Sequence, residues 1–332
     1  MNKIKAAVVQ EAPVVFNSEA TIIKVGDILQ KAASQGAQLV VLPEAFVSAY
    51  PVGLDFGARV GFRLPEGRVD FRRYYESSIE VPGPATVGLG KAAEAAGVFM
   101  VIGVIERDGG TLYCTSLTFG PGGELLSKHR KLMPTAAERL VWGYGDGSTM
   151  EVVDTSLGRL GSVICWENYM PMLRMHMFAQ GIQLYCAPTA DTRDTWLSTM
   201  RHIALEGRCF VLSACQYLTR DDCPDDYTAL FEPFGGDKPE TVLMRGGACI
   251  VDPLGQVLVS PNVEGPGIFV AELDLDQIPQ GKYDFDVVGH YARPDIFRLY
   301  VDTSPKPAVV THSSDFGPGT KEDTDSSTDL IV

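Results

Sequence analysis

The pattern that most constrains this fold is an alternation of short apolar runs with longer stretches of helical periodicity. The first half predicts, in order, a strand, a helix, a strand, a second helix and three strands, at residues 4–9, 18–35, 37–42, 84–96, 99–106, 111–119 and 125–130. Asn17 or Ser18 suits the cap of the first helix, and Gly36 suits its end. The strand over 37–42 is almost continuously apolar, as expected of a strand covered on both faces.

The second half repeats this order of elements without repeating the sequence. Strands and helices alternate, and a hairpin and a last strand follow, at residues 160–164, 171–180, 182–187, 195–206, 209–214, 247–260 and 268–273. Two successive β-α-β blocks with added hairpins predict sheets covered by helices, which is the α/β class.

Cys165 lies where the strand over 160–164 ends and a helix is about to begin. Pro171 suits the first turn of that helix, because its missing N–H group costs nothing there. Such an elbow exposes a side chain at the rim of a sheet, and nearby helix N–H groups favour a thiolate. A single cysteine after a strand is more often a small buried hydrophobe, so Cys165 alone does not define a site.

Two other predicted strands also end in residues that can take part in chemistry. Glu44 follows the apolar run that ends at Leu42-Pro43, and Lys131 follows the strand over 125–130. A thiol, a carboxylate and an ammonium group supply a nucleophile, a general base and an electrostatic stabiliser. Taken singly, Glu44 and Lys131 would be ordinary solvated residues at strand ends.

The three stretches resemble the Glu–Lys–Cys signature of the nitrilase superfamily of carbon–nitrogen hydrolases, and in particular its nitrilase branch. Cys165-Trp166-Glu167-Asn168 resembles the nucleophile motif of that branch. The segments that carry the resemblance, in the family's order, are 40–46, 128–135, 138–147, 165–168, 187–191 and 200–207. The resemblance extends over roughly the first 290 residues, and no member of the triad is missing.

The resemblance implies the four-layer α-β-β-α sandwich of the superfamily, as one domain over residues 1–302. It implies that Cys165 attacks a nitrile carbon, that Glu44 is the general base, and that Lys131 stabilises the developing charge. Glu138 resembles a second glutamate that holds Lys131 or the substrate. The positions similar to family pocket residues are Tyr50, Trp142, Trp166, Pro188 and Thr189, although aromatic residues there could equally belong to the core.

Other activities remain open at this point. An amidase or carbamoylase would use the same Glu–Lys–Cys chemistry, and cyanide hydrolysis is a narrower variant. A non-catalytic scaffold or assembly module is the alternative from a different class, and the intact triad speaks against it. No cofactor or metal is implied, because the glycine-rich segment 143–147 does not join a strand to a helix and the histidines lack ligand spacing.

Net charge and composition limit the kinds of binding partner and the cellular compartment that we expect. A net charge of −14 opposes nucleic-acid binding, and the apolar runs are too short to span a membrane. Seven cysteines without a CxxC pair, and no recognisable signal peptide, predict a reducing, cytoplasmic location. From Thr303 to Val332 the chain is acidic and lacks apolar periodicity, so we expect a disordered tail.

Two stretches, 53–75 and 221–240, resemble in position the insertions through which nitrilases extend homodimers into larger, helical homo-oligomers. The first has five arginines against three acidic residues, net +2, and the second has seven acidic residues against one lysine, net −6. Both lack the periodicity of core elements. We expect the opposite charges to pair across a subunit interface, with apolar contacts from Phe56, Phe62, Phe71, Phe231 and Phe234.

Overall fold

The computed structural model describes residues 3–310, and the strands and helices predicted from the sequence occur in it in the predicted order, with further short elements between them. The strands are, in chain order, β1 (Lys3–Gln10), β2 (Leu39–Val41), β3 (Ala58–Arg59), β4 (Phe62–Arg63), β5 (Phe99–Asp108), β6 (Thr111–Phe119), β7 (Leu125–Arg130), β8 (Val152–Thr155), β9 (Gly158–Ser162), β10 (Leu184–Thr189), β11 (Phe210–Cys215), β12 (Tyr217–Thr219), β13 (Val242–Arg245), β14 (Cys249–Val251), β15 (Val257–Val259) and β16 (Gly267–Asp274). The helices are α1 (Ser18–Ser34), α2 (Pro65–Ser77), α3 (Pro84–Ala96), α4 (Pro171–Ala179), α5 (Thr195–Gly207) and α6 (Gln277–Gly281).

Most of these strands form two six-stranded sheets. The first has the order β16-β1-β2-β5-β6-β7, and the second has the order β15-β14-β11-β10-β9-β8. In the first sheet β1, β2 and β5 are parallel, and β7 runs in the same direction because β6 is antiparallel to both of its neighbours. In the second sheet β9, β10 and β11 are parallel. The carboxyl ends of β2 and β7 therefore share one edge of the first sheet, and those of β9, β10 and β11 share one edge of the second.

Alternation of side chains along the strands produces the layers. In β2, Val40 packs with α1 and α3, whereas Leu39 and Val41 face the second sheet. In the second sheet, Tyr185 and Val211 pack with α4 and α5 on the outer face. The predicted four-layer α-β-β-α sandwich is confirmed. Within residues 3–310, none of the helices has the length and apolar character needed to cross a membrane.

The sequence pattern did not predict α2, which occupies the second half of 53–75. The helical period is weak in the sequence since few of its side chains face the interior: only Gly67, Tyr74 and Ser77 are buried. Pro65 opens the helix at its first turn, where a missing N–H group costs nothing. The predicted acidic tail lies outside the described residues from 311 onward, and residues 303–310 are exposed without helix or strand.

The predicted pairing of 53–75 with 221–240 across a subunit interface is also corrected, since the two stretches pair within one chain. Arg73 binds Asp226 at 2.8 Å, and the Thr228 hydroxyl donates to Asp70. The Leu230 N–H donates to the Gly53 carbonyl at 3.0 Å. The charge pattern gave the correct partner segments, but the contacts that join them lie within one chain. Of the five phenylalanines named above, Phe231 is buried in this contact, whereas Phe62 remains exposed.

Tyr227 fixes this intrachain contact. Its hydroxyl donates to the Val52 carbonyl at 2.8 Å, and its ring packs 5.7 Å from Phe16 and 6.3 Å from Phe231, centroid to centroid. Tyr227→Ala should lower the free energy of unfolding by about 3–5 kcal/mol, as for other buried aromatic residues. Leu230→Ala, at a side chain that is 60% exposed, is the matched control and should change it little. Urea unfolding at two protein concentrations should give the same loss of free energy. A loss that depends on protein concentration would indicate that the two stretches pair between subunits.

Candidate active site

Glu44, Lys131 and Cys165 follow β2, β7 and β9, so their side chains leave the two sheets at carboxyl ends. The two edges adjoin: Gln216, which follows β11 in the second sheet, donates its side-chain amide to the Glu44 carbonyl at 2.8 Å. Cys165 shares one buried cluster with Ala45. The structure therefore brings the three residues of the predicted triad together at the junction of the sheets.

The Lys131 ammonium group lies between two carboxylates. Its Nζ is 2.6 Å from Oε1 of Glu44 and 2.7 Å from Oε2 of Glu138. The Lys131 and Glu44 side chains are fully buried. Burial alone would lower the pKa of Lys131, but the negative groups around it, Glu44 first among them, together outweigh burial, and the pKa lies well above the ordinary lysine value. Lys131 is therefore a buried cation, and it lies 5.4 Å from the centre of the Trp142 ring.

Glu138 is held on several sides. It lies in a 3₁₀ turn over Ala136–Leu140, and its Oε2 accepts the N–H of Thr135 at 2.6 Å while also contacting Lys131. Its Oε1 accepts the hydroxyl of Tyr50 at 2.8 Å. Sequence reasoning proposed Glu138 as the second glutamate, and the structure places it against the lysine.

The Cys165 backbone adopts a left-handed conformation, with φ of 51°, at the start of a 3₁₀ turn over Cys165–Tyr169. A non-glycine residue is strained there, so the surroundings must hold it. Asn168 does so by donating its side-chain amide to the carbonyls of Val163 and Cys165, at 3.0 and 2.7 Å. The Thr189 hydroxyl donates to the Cys165 sulfur at 3.2 Å. The predicted elbow after the strand is therefore present.

The expectation that helix N–H groups stabilise a Cys165 thiolate is wrong. Burial raises the pKa of the thiol above the ordinary cysteine value, and the Glu44 carboxylate raises it further, with only partial compensation from Lys131. The turn after Cys165 is one 3₁₀ segment of five residues, too short to offset a carboxylate beside the sulfur. Cys165 is a neutral thiol at rest, so an attack through sulfur needs a base.

Glu44 has the environment of such a base. Burial raises its pKa above the ordinary glutamate value, and Lys131 offsets this only in part. Its Oε1 contacts Lys131 and accepts from the Cys114 thiol at 3.5 Å. Its Oε2 is buried and has no hydrogen-bond partner among residues 3–310. One oxygen of the carboxylate thus binds the lysine, and the other is free to accept a proton.

The chain matches known proteins over most of its length. The family model described as carbon-nitrogen hydrolase matches residues 5–283. A relative from Sinorhizobium fredii (strain HH103), named aliphatic nitrilase, is 58% identical over 94% of this chain and 100% of that protein. Nitrilase 2 of Arabidopsis thaliana is 50% identical over 92% of this chain and 91% of that protein.

This chain belongs to the carbon–nitrogen hydrolase family. The nitrilases among its relatives assign it to the nitrilase branch. A solved carbon-nitrogen hydrolase from Helicobacter pylori G27 shares the fold, with a TM-score of 0.68 at 20% identity over 88% of this chain and 96% of that one.

The pocket residues predicted for this carbon–nitrogen hydrolase occupy different depths. Trp142 is 2% exposed and packs against Tyr50 and Lys131, so it lies behind the lysine. The Thr189 hydroxyl contacts the Cys165 sulfur. Pro188 precedes Thr189 in the buried strand β10.

Trp166 is 41% exposed and lies toward the solvent side of the same region. Its ring N–H donates to Asp191, and the Arg193 guanidinium lies 4.7 Å from the centre of its ring. The sequence predicted the position of Trp166 but not these two polar partners.

Sequence reasoning missed Gln216, Asn168 and the partners of Glu167. Gln216 could have been found, since a polar residue directly after a buried strand is the same signal that located Cys165. Asn168 and Glu167 belong to the recognised motif, but they act by hydrogen bonding to backbone groups, and residue types alone do not show which backbone groups lie nearby.

Gly103 in β5 makes room for Glu44. A Cβ atom there would lie 2.5 Å from the Ala45 nitrogen and 2.6 Å from the Glu44 Cα, both in the backbone. Gly103→Ala should therefore displace Glu44 and lower the free energy of unfolding by about 1–3 kcal/mol, with a loss of activity. Gly110→Ala is the matched control, because nothing lies within 4 Å of that Cβ position. Equal activity and equal urea midpoints for the two variants would contradict the close approach.

Proposed function

We propose that this carbon–nitrogen hydrolase is a nitrilase, which converts an organic nitrile and two waters into a carboxylic acid and ammonia. The observation that carries the proposal is the buried Lys131 between Glu44 and Glu138, beside a neutral Cys165 thiol. It is supported by 58% identity to a protein named aliphatic nitrilase. Cys165, Glu44 and Lys131 are the proposed catalytic residues, and Glu138 positions the lysine.

In the first stage the Cys165 sulfur attacks the nitrile carbon. Glu44 takes the thiol proton through its free oxygen, and the proton passes to the nitrile nitrogen, which gives a thioimidate. The raised pKa of Glu44 suits it to this transfer, because a carboxylate with a higher pKa is a stronger base. Lys131 and the backbone N–H of Trp166 stabilise the negative charge that develops on nitrogen.

In the second stage Glu44 activates a water molecule, which adds to the thioimidate carbon to form a tetrahedral intermediate. Ammonia leaves after its nitrogen is protonated, and a thioester remains on Cys165. A second water, activated in the same way, releases the acid and restores the thiol. Lys131 stays protonated throughout and stabilises the intermediate.

A cavity of about 440 Å³ lies beside Tyr50 and Glu138, and we propose that it takes the substituent of the nitrile. Its walls include the apolar side chains Val52, Leu54, Phe56, Leu140 and Val141. The charged residues that line it are Asp55 and Glu138, without a lysine, arginine or histidine. Neutral, apolar substituents therefore suit this cavity. Nitriles whose substituent carries a carboxylate do not, because Asp55 and Glu138 would repel it.

An ammonia-release assay over nitriles, the matching amides and cyanide tests the function. We expect acid and ammonia in equal amounts from an apolar nitrile, and no product with Cys165→Ala, since only the sulfur forms the covalent intermediate. Mass spectrometry of the wild type should show the adduct on Cys165. Faster release from the amide would indicate an amidase or carbamoylase, release from cyanide alone would indicate a cyanide-hydrolysing enzyme, and no release from any of them would indicate a scaffold.

Location and assembly belong to the same proposal. All seven cysteines are free and buried, as expected of a chain that acts in the reducing cytoplasm. We propose a homodimer that extends into larger, helical homo-oligomers. The support is a set of large apolar side chains exposed on the second sheet's side and in the C-terminal segment: Met172, Tyr291, Ile296, Phe297 and Tyr300.

Light scattering tests the assembly. Met172 on α4 and Ile23 on α1 are both 71% exposed, but they lie on opposite outer layers. Met172→Glu should reduce the particle mass, because a buried carboxylate would destabilise an interface there, whereas Ile23→Glu should leave the mass unchanged. A wild type that is monomeric at micromolar concentration would contradict the assembly.

A further inference from the structure

A buried histidine–glutamate pair lies behind the site and has no part in the chemistry described above. His129 Nε2 is 3.0 Å from Oε2 of Glu167 and 3.2 Å from Oε1. The exposed fractions of the two side chains are 7% and 0%. Removing two charges from water is unfavourable unless the geometry satisfies both, so such a pair needs an explanation.

The Glu167 carboxylate also accepts two backbone N–H groups. Oε1 accepts from Leu132 at 2.6 Å, and Oε2 accepts from Ile164 at 2.8 Å. Leu132 directly follows Lys131, and Ile164 directly precedes Cys165. One carboxylate therefore joins the strand end that carries the lysine, in the first sheet, to the strand end that carries the thiol, in the second.

The contacts of His129 fit an imidazole that carries a proton on both ring nitrogens. Nε2 faces the carboxylate, and Nδ1 faces the Thr149 carbonyl at 3.2 Å. The carboxylate and the carbonyl are acceptors only, so each ring nitrogen donates to its partner in this arrangement. Burial alone would lower the pKa of His129, but the Glu167 charge, the hydrogen bond to Glu167 and the Thr149 carbonyl together outweigh burial, and the pKa is raised. Burial would raise the pKa of Glu167, but His129 and the two N–H groups outweigh it and the pKa is lowered.

The other groups near the imidazole do not supply a competing charge. Thr149 also presents its hydroxyl, 3.3 Å from Nδ1, and Ser116 is the register partner of His129 on β6. The flanking cations Lys128 and Arg130 both bind Glu106 instead. Within residues 3–310, Glu167 is thus the carboxylate that holds the imidazolium.

We propose that Glu167 and a doubly protonated His129 form a positioning pair, which fixes the separation between Lys131 and Cys165 across the junction of the two sheets. The charge on His129 compensates the buried carboxylate, and the carboxylate holds both strand ends. The kinetic consequence rests on the proposed nitrilase function, whereas the protonation state does not.

Nitrogen NMR of the protein labelled at its five histidines tests the protonation state. The signals that disappear in His129→Gln identify the residue. At pH 7.5 we expect a proton on both ring nitrogens of His129 in the wild type, and loss of one of them in Glu167→Gln. A wild-type His129 with one unprotonated nitrogen at that pH would overturn the proposal, and it would do so whether or not the protein hydrolyses nitriles.

Kinetics with an apolar nitrile test the positioning. Glu167→Gln and His129→Gln should each lower kcat by about tenfold to a hundredfold with little change in KM, because an error of about 1 Å in placing the reacting groups has an effect of that size. His202→Gln is the matched control: His202 also faces a glutamate, at 3.8 Å, but is 65% exposed, so kcat should stay the same. Variants with kcat within twofold of the wild type would overturn the positioning role.

The pH dependence of stability supplies a third measurement that does not require turnover. The folded-state pKa of His129 is raised, so the stabilisation is complete below the unfolded value of about 6.5 and is lost as pH rises through the folded value. The stability advantage of the wild type over His129→Gln should therefore shrink from neutral to alkaline pH. An advantage that stays constant or grows over that range would show that the imidazolium does not stabilise the pair.

Discussion

The burial of one ammonium group between two carboxylates controls the chemistry of this site. Lys131 and its partners Glu44 and Glu138 sum to one excess negative charge when all three are ionised, and water does not screen it. Burial raises the pKa of the Cys165 thiol and the Glu44 charge raises it further, which keeps the thiol proton in place, and burial raises the pKa of Glu44 against the opposing effect of Lys131. The arrangement that disfavours a Cys165 thiolate therefore also places Glu44 where it can accept the thiol proton.

Around this centre lie residues that hold the reacting groups without reacting. Asn168 holds the strained backbone at Cys165, Gln216 holds the backbone at Glu44, and Glu167 joins the segments beside Lys131 and Cys165. Each bonds to main-chain groups, so the site depends on backbone positions at three strand ends. The recognised motif thus combines one reactive side chain with two that fix its geometry.

The sequence pattern predicted the element order and the strand-end positions of Glu44, Lys131 and Cys165, because both follow from local pattern. The four layers and the meeting of the triad residues were implied by the family resemblance. Three features of the structure differ from what the sequence indicated, each for a physical reason outside the local sequence. The helix α2 was missed because a mostly solvated helix has few apolar residues at helical spacing. The Cys165 thiolate was expected from one short turn, whereas burial and a carboxylate decide its pKa. The loops with opposite charges were paired between subunits, although they lie close enough to pair within one.

The two sheets pack through a core to which β1, β2 and β5 contribute on one side and β9, β10 and β11 on the other. Glu44 and Lys131 extend from the first sheet, and Cys165 extends from the second. A change in the volume of an intersheet residue such as Leu184 would shift one layer against the other, and with it the distance over which the sulfur and the lysine cooperate. Catalytic rate and substrate preference in this chain can therefore evolve through apolar substitutions that never contact a nitrile.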